Sequence, residues 1–158
     1  MKGRGGPSPS FKPRSVVLEA LFPLLVYLDS NVLISACLVR GHKFLEFWRM
    51  HGVTVAVSMY AVNEVRSHLL AEIQHHRFDG LLATTRLIND ADERILPASV
   101  DLPKKDRPIL AAALAGEVDF LITGDKKHFG KYYDRRVSRV TIVSPGDFLA
   151  RNNYRLML

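Results

Sequence analysis

The chain has 158 residues, enough to close one compact core, and its 47% hydrophobic and 24% charged content is that of an ordinary globular protein. A net charge of +6 at pH 7 and a pI near 9.7 favour an anionic partner, of which nucleic acid is the commonest. The single cysteine, Cys37, excludes an intrachain disulfide framework and a cysteine-based zinc site, and it fits a reducing, cytoplasmic setting.

The chain opens with "MKGRGGPSPSFKPR", rich in Gly, Pro, Ser and positive charge, so residues 1–23 are expected to form a flexible basic extension. Val16 to Leu28 is mostly apolar and loosely imitates a secretory signal. Glu19 and Pro23 interrupt it, however, and cleavage near Ala36 would cut through a strand–helix unit. The run is also too short to span a bilayer, so no membrane segment is expected.

Leu24 to Leu28 reads as a buried strand. Asn31 to Arg40 reads as a helix that Ser30 or Asn31 can cap and Gly41 can end. "HKFLEFWRMH" predicts a second helix, and the β-branched Val53–Ser58 a second strand. Val62, Val65, Leu69 and Ile73 recur at helical spacing and predict one helix over Met59–His76. "FDGLLATTRLIND" predicts another helix, and Arg94–Leu96 a short strand within connecting sequence. Asp106–Ala115 is a predicted helix closed by Gly116, "DFLIT" a strand, Arg139–Ser144 the last strand, and "PGDFLAR" the start of a final helix. Strands alternating with helices predict an α/β fold with a mainly parallel sheet, over a domain spanning residues 24–150 and followed by a C-terminal tail, 151–158.

In such sheets ligands bind beyond the carboxyl ends of the strands, and this sorts the acids. Asp29 follows the first strand, and Asp125 follows "DFLIT". Asp119 precedes that strand, roughly 15–20 Å away at the other edge, and is set aside. Asp106 shares a helical stripe with Ile109, Leu110 and Ala113. It should therefore point inward at the carboxyl edge, although a favourable charge in a first helical turn would look the same. Glu64 follows the second strand and could equally be a solvated helix acid. Ser144-Pro145-Gly146-Asp147 has the form of a helix cap. Carboxylates that converge repel one another and need a positive partner. Oxygen ligands select hard cations, Mg2+ or Mn2+, which lower the pKa of bound water and neutralise phosphoryl oxygens.

"VYLDSNVLISACL", "SMYAVNEV", "KKDRPILAAALAGEVDFLITGDKKHF" and "VSPGDFL" together, in that order, resemble the PIN domain over about Leu24–Ala150. The resemblance implies a three-layer α/β/α fold and a metal-dependent ribonuclease. Its four acidic positions would be Asp29, Glu64, Asp106 and Asp125, with Asn31 and Thr123 as auxiliary polar residues. Many such domains are toxins of toxin–antitoxin pairs (VapC-like), so an antitoxin partner and a homodimer are expected beside the RNA substrate. A metal-activated water would attack an RNA phosphorus in line. The long basic extension departs from the family's usual start.

Lys104, Lys105 and Arg107 flank Asp106, and Lys126, Lys127 and His128 follow Asp125. They are candidate RNA-backbone contacts, with a solvated charge run as the plain alternative. His42, His51, His68, His75 and His76 form no metal-binding spacing. Phe44, Phe47, Trp48 and the tyrosines of "KYYDRRVSR" are read as packing residues. Two other functions stay open: a nuclease acting on DNA or on structured substrates, and a nuclease-inactive RNA-binding module.

Overall fold

A computed structural model describes residues 22–157. The expected N-terminal extension therefore lies outside the described residues, apart from Phe22 and Pro23. Six strands form one sheet: β1 (Leu24–Leu28), β2 (Val53–Ser58), β3 (Arg86–Ile88), β4 (Phe120–Ile122), β5 (Arg135–Val137) and β6 (Val140–Val143), in the order β3-β2-β1-β4-β6-β5. All neighbours are parallel except β5 and β6.

The helices are α1 (Ser30–Cys37), α2 (Met59–His68), α3 (Glu72–Leu82), α4 (Arg107–Ala115), α5 (Lys126–Phe129) and α6 (Pro145–Arg151). They cover both faces of the sheet, which makes the fold the expected three-layer α/β/α. Strand alternation divides the core in two. Val26, Leu28, Val57 and Ile122 face Val32, Leu33, Val65, Phe78 and Phe148 on one side. Tyr27, Leu121 and Ile142 face Ile109, Leu110 and Phe129 on the other. No helix among the described residues is long and apolar enough to cross a membrane.

Several local expectations are corrected. The helix expected over Met59–His76 is two helices, broken at Leu69–Ala71. No Gly or Pro marks the break. Instead the Gln74 side chain accepts from the Leu70 and Ala71 N–H groups and restarts the chain as α3. "FDGLLATTRLIND" is not one helix: α3 stops at Leu82, and Arg86–Ile88 adds a parallel edge strand to β2. Arg94–Leu96 is not a strand, since Glu93–Ile95 is a 3-10 turn capped by Asp92. Only His42–Trp48 of "HKFLEFWRMH" is helical, and it belongs to a 3-10 stretch, Val39–Trp48. "KYYDRRVSR" contains the antiparallel strand β5, bounded by positive φ at Asp134 and Ser138.

The final segment, 151–157, is docked. Arg155 is 3% exposed, and it donates to the carbonyls of Phe22 (3.2 Å) and His51 (3.1 Å). It thereby ties the last 3-10 turn (Asn153–Leu156) to the amino edge of the sheet. Cys37 is a buried core residue, as expected.

Candidate active site

β2 and β3 lie on one side of β1, and β4 lies on the other. The chain direction across the sheet thus reverses between β1 and β4, and at the carboxyl ends of these two strands their following loops diverge and leave a crevice. Leu28 is in register with Ile122, and the Asp29 N–H donates to the Ile122 carbonyl at 2.9 Å. Asp29 and Asp125 therefore stand on opposite lips of one crevice. It opens into a cleft of about 670 Å³ whose lining includes Asp29, Glu64, Asp106 and Asp125. The four acids that the sequence places at the carboxyl edge are brought together. Asp119 is at the other edge, where its carboxylate accepts the Leu25 N–H.

Asp29 is 3% exposed and closely held. Its side chain, and not Ser30 or Asn31, caps α1: Oδ1 accepts the Ser30 N–H at 2.7 Å. Oδ2 accepts from the Thr123 hydroxyl (2.7 Å) and the Asn31 amide (3.2 Å). Asn31 in turn accepts the Gly124 N–H at 2.9 Å, so its side chain crosses the crevice. A Cβ at position 124 would come within 3.2 Å of Asn31 Oδ1, which is why a glycine suits this close approach. Thr123 both donates to Asp29 and accepts the Asp125 N–H (3.1 Å), coupling the two acids through one hydroxyl. The Tyr133 hydroxyl holds the Thr123 carbonyl at 2.8 Å. Burial, opposed by the Thr123 and Ser30 hydrogen bonds and reinforced by Glu64 and Asp106, pushes the Asp29 carboxyl up to about 6.

Glu64 projects from α2 and accepts a hydrogen bond from the Ser30 hydroxyl. It is not the freely solvated acid of the competing reading. Asp90 fixes the start of the same helix by accepting the Tyr60 N–H at 3.0 Å.

Asp106 occupies the residue before α4 yet makes no cap hydrogen bond with its side chain. It is 7% exposed, and its Oδ2 is buried without a hydrogen-bond partner. This burial fits the inward stripe and not a solvent-facing charge in the first helical turn. Burial and the nearby Asp125 raise its pKa, while Lys105 and His128 oppose the rise.

Asp125 caps α5 and is paired with His128, which donates its backbone N–H to Oδ1 (3.2 Å) and has Nδ1 2.7 Å from Oδ2. His128 Nδ1 is also 3.4 Å from Asp106 Oδ2. Sequence reasoning missed His128 as a member of the site and read it with the basic run. The available signal was its three-residue offset from Asp125, which puts both on one side of a helical turn.

The basic candidates divide. Lys105 lines the cleft, and its carbonyl accepts the Tyr60 hydroxyl at 2.8 Å. Arg107 is engaged elsewhere, 3.5 Å from Glu93. Lys104, Lys126 and Lys127 are exposed and outside the cleft lining. Tyr132 holds the Asp101 N–H at 2.8 Å, and with Tyr133 it serves the loops. Ser144 caps α6 by accepting the Asp147 N–H, as expected. Phe47 is buried in the core, and Phe44 stacks on it and reaches the cleft wall.

The PIN domain family model matches residues 25–127. No curated protein sequence is a significant match. Matching solved structures include a chain of the VapBC2 complex from Rickettsia felis, bound to a DNA fragment from its promoter. It has a TM-score of 0.56 and 16% identity, and the match covers 77% of this chain and 98% of that one. At that identity the likeness is one of fold.

Proposed function

The chain belongs to the PIN domain family, a family of nucleases, and on that premise we propose that it is a metal-dependent ribonuclease and the toxin of a toxin–antitoxin pair. The observation that carries this reading is the single cleft onto which Asp29, Glu64, Asp106 and Asp125 all open, with one buried carboxylate oxygen of Asp106 lacking a hydrogen-bond partner. A binding surface for a polyanion gains nothing from four clustered acids, which repel phosphate. A hydrolytic site does gain from them when a cation is shared.

The residues fit such a group. Their oxygens are the ligands that Mg2+ and Mn2+ take, and Asp106 Oδ2 is buried without a hydrogen-bond partner. Asp29, Asp106 and Asp125, with Glu64 at the side, would hold the ion. When bound, a divalent ion lowers the pKa of a water and neutralises charge on a phosphoryl oxygen. The chain supplies the rest. Thr123, Asn31 and the Ser30 N–H fix Asp29 in one orientation. Ser30 orients Glu64 toward the same space. Lys105 places a positive charge on the cleft wall, where it can meet an RNA phosphate.

The likeness to a chain of the VapBC2 complex supports the toxin role. An antitoxin would be the expected protein partner, and a homodimer and a cytoplasmic setting belong to the same proposal. The test is cleavage by the purified protein of matched RNA and DNA strands with Mn2+, Mg2+ or chelator, beside Asp29→Asn. Metal-dependent RNA cleavage lost in the variant is the expected result. Equal cutting by wild type and variant, or cutting unaffected by chelator, overturns the mechanism, and a preference for DNA overturns the substrate.

A further inference from the structure

We infer that His128 is itself a ligand in this cleft, so that Asp106, Asp125 and His128 form a mixed nitrogen–oxygen site preferring a first-row transition ion of the Mn2+ class over Mg2+. This rests on the reading of the cleft as a metal-dependent nuclease site.

Geometry is the first argument. One ligand atom from each of the three residues lies within 4.8 Å of the others. His128 Nδ1 is 2.7 Å from Asp125 Oδ2 and 3.4 Å from Asp106 Oδ2. These separations fall on either side of the about 3 Å between adjacent donors that share an ion at 2.0–2.1 Å.

The second argument is an unmet need. Nδ1 carries at most one hydrogen, and the close contact with Asp125 uses it. Asp106 Oδ2, buried without a hydrogen-bond partner, is left facing the same nitrogen. A shared cation satisfies both carboxylates and the ring nitrogen at once, which no single imidazole hydrogen can do.

The ring is also held for this task. Its backbone N–H donates to Asp125, and the next residue, Phe129, is fully buried and anchors α5. Little conformational entropy then remains to be lost on ligation. The preference follows from donor chemistry. Mn2+ shares the taste of Mg2+ for oxygen donors but, as a first-row transition ion, also accepts an imidazole nitrogen, whereas Mg2+ takes oxygen ligands and retains its water.

The test is electron spin-echo spectroscopy of the Mn2+-loaded full-length protein, with calorimetric titration of Mn2+ and Mg2+ into wild type and His128→Asn. The asparagine keeps a side-chain donor for Asp125, and if that variant fails to fold, the spectrum of His68→Asn decides between the two histidines of the cleft lining, the nitrogen signal persisting if His128 is the ligand and vanishing, to overturn the inference, if it is not. The expected result is a directly coordinated nitrogen in wild type that vanishes in His128→Asn. Mn2+ affinity should fall roughly tenfold or more, while Mg2+ affinity changes by less than about threefold. No coordinated nitrogen in wild type overturns the inference, as does a nitrogen signal that survives in His128→Asn, where His68 at the cleft wall would be its source. Failure of this inference and failure of the nuclease reading are separable. Metal-stimulated cleavage without nitrogen coordination overturns the ligand alone. Nitrogen coordination without cleavage supports the ligand and overturns the nuclease reading.

Discussion

The two lips of the crevice are built to opposite standards. On the β1 lip, both oxygens of Asp29 are hydrogen-bonded, by Ser30, Asn31 and Thr123. On the α4 side, a buried oxygen of Asp106 has no hydrogen-bond partner, and His128 stands beside it already engaged with Asp125. The contrast separates two duties that a cluster of acids hides. One carboxylate is a fixed reference point whose environment is complete without a ligand. The other is kept incomplete, and its cost to the fold is recovered when something positive arrives.

Removing either acid breaks the comparison most severely. Asp29→Asn and Asp106→Asn should each lower the rate of metal-dependent cleavage by roughly a hundred- to a thousandfold, the scale of several kcal/mol of lost charge stabilisation, measured at saturating substrate. Their partners should then diverge in stability. Thr123→Val strips Asp29 of its closest hydroxyl and leaves the Asp125 N–H unpaired, and it should cost about 1–2 kcal/mol in denaturant titration. Asp106→Asn, assayed without metal, should instead stabilise the protein by about 1 kcal/mol, because it removes a charge that the fold does not satisfy. Equal signs for these two substitutions would abolish the distinction drawn between the lips.

The pH dependence sharpens the same point. The Asp29 carboxyl is raised from 3.8 to about 6, so between those values the folded protein holds a proton that the unfolded chain has released. Stability of the metal-free protein should therefore fall as pH rises from about 4 to about 6, and Asp29→Asn should flatten that stretch of a melting-temperature profile. The smallest effect concerns the exposed lysines outside the cleft. Lys126→Ala with Lys127→Ala should reduce the salt slope of RNA binding by about 1–2 units while sparing cleavage at low salt.

Much of this was legible in residue order. A carboxylate after a buried strand, one after "DFLIT" and one on the apolar stripe of a helix are local patterns, and the strand-end rule carries them to one edge. What was not legible depended on side chains reaching across the chain. Gln74 starts a second helix after a break that no breaker residue marks in the sequence. β3 and β5 are three-residue edge strands, too short for a period of two to show against helical neighbours. His128 looked like one more positive charge because its partner Asp106 is far away in sequence and near only after α4 and β4 have packed.

The pairing of β1 with β4 has a consequence for synthesis. β1 is the first described strand to leave the ribosome and lies inside the sheet, yet its hydroxyl contact from Thr123 comes 94 residues later. Arg155, which pins the start of β1 through Phe22, comes later still. Until then an apolar strand keeps an open edge, the most aggregation-prone condition a growing chain can be in. The cleft, whose floor is that same seam, forms only once Thr123 and Asp125 have been added and β4 has paired with β1.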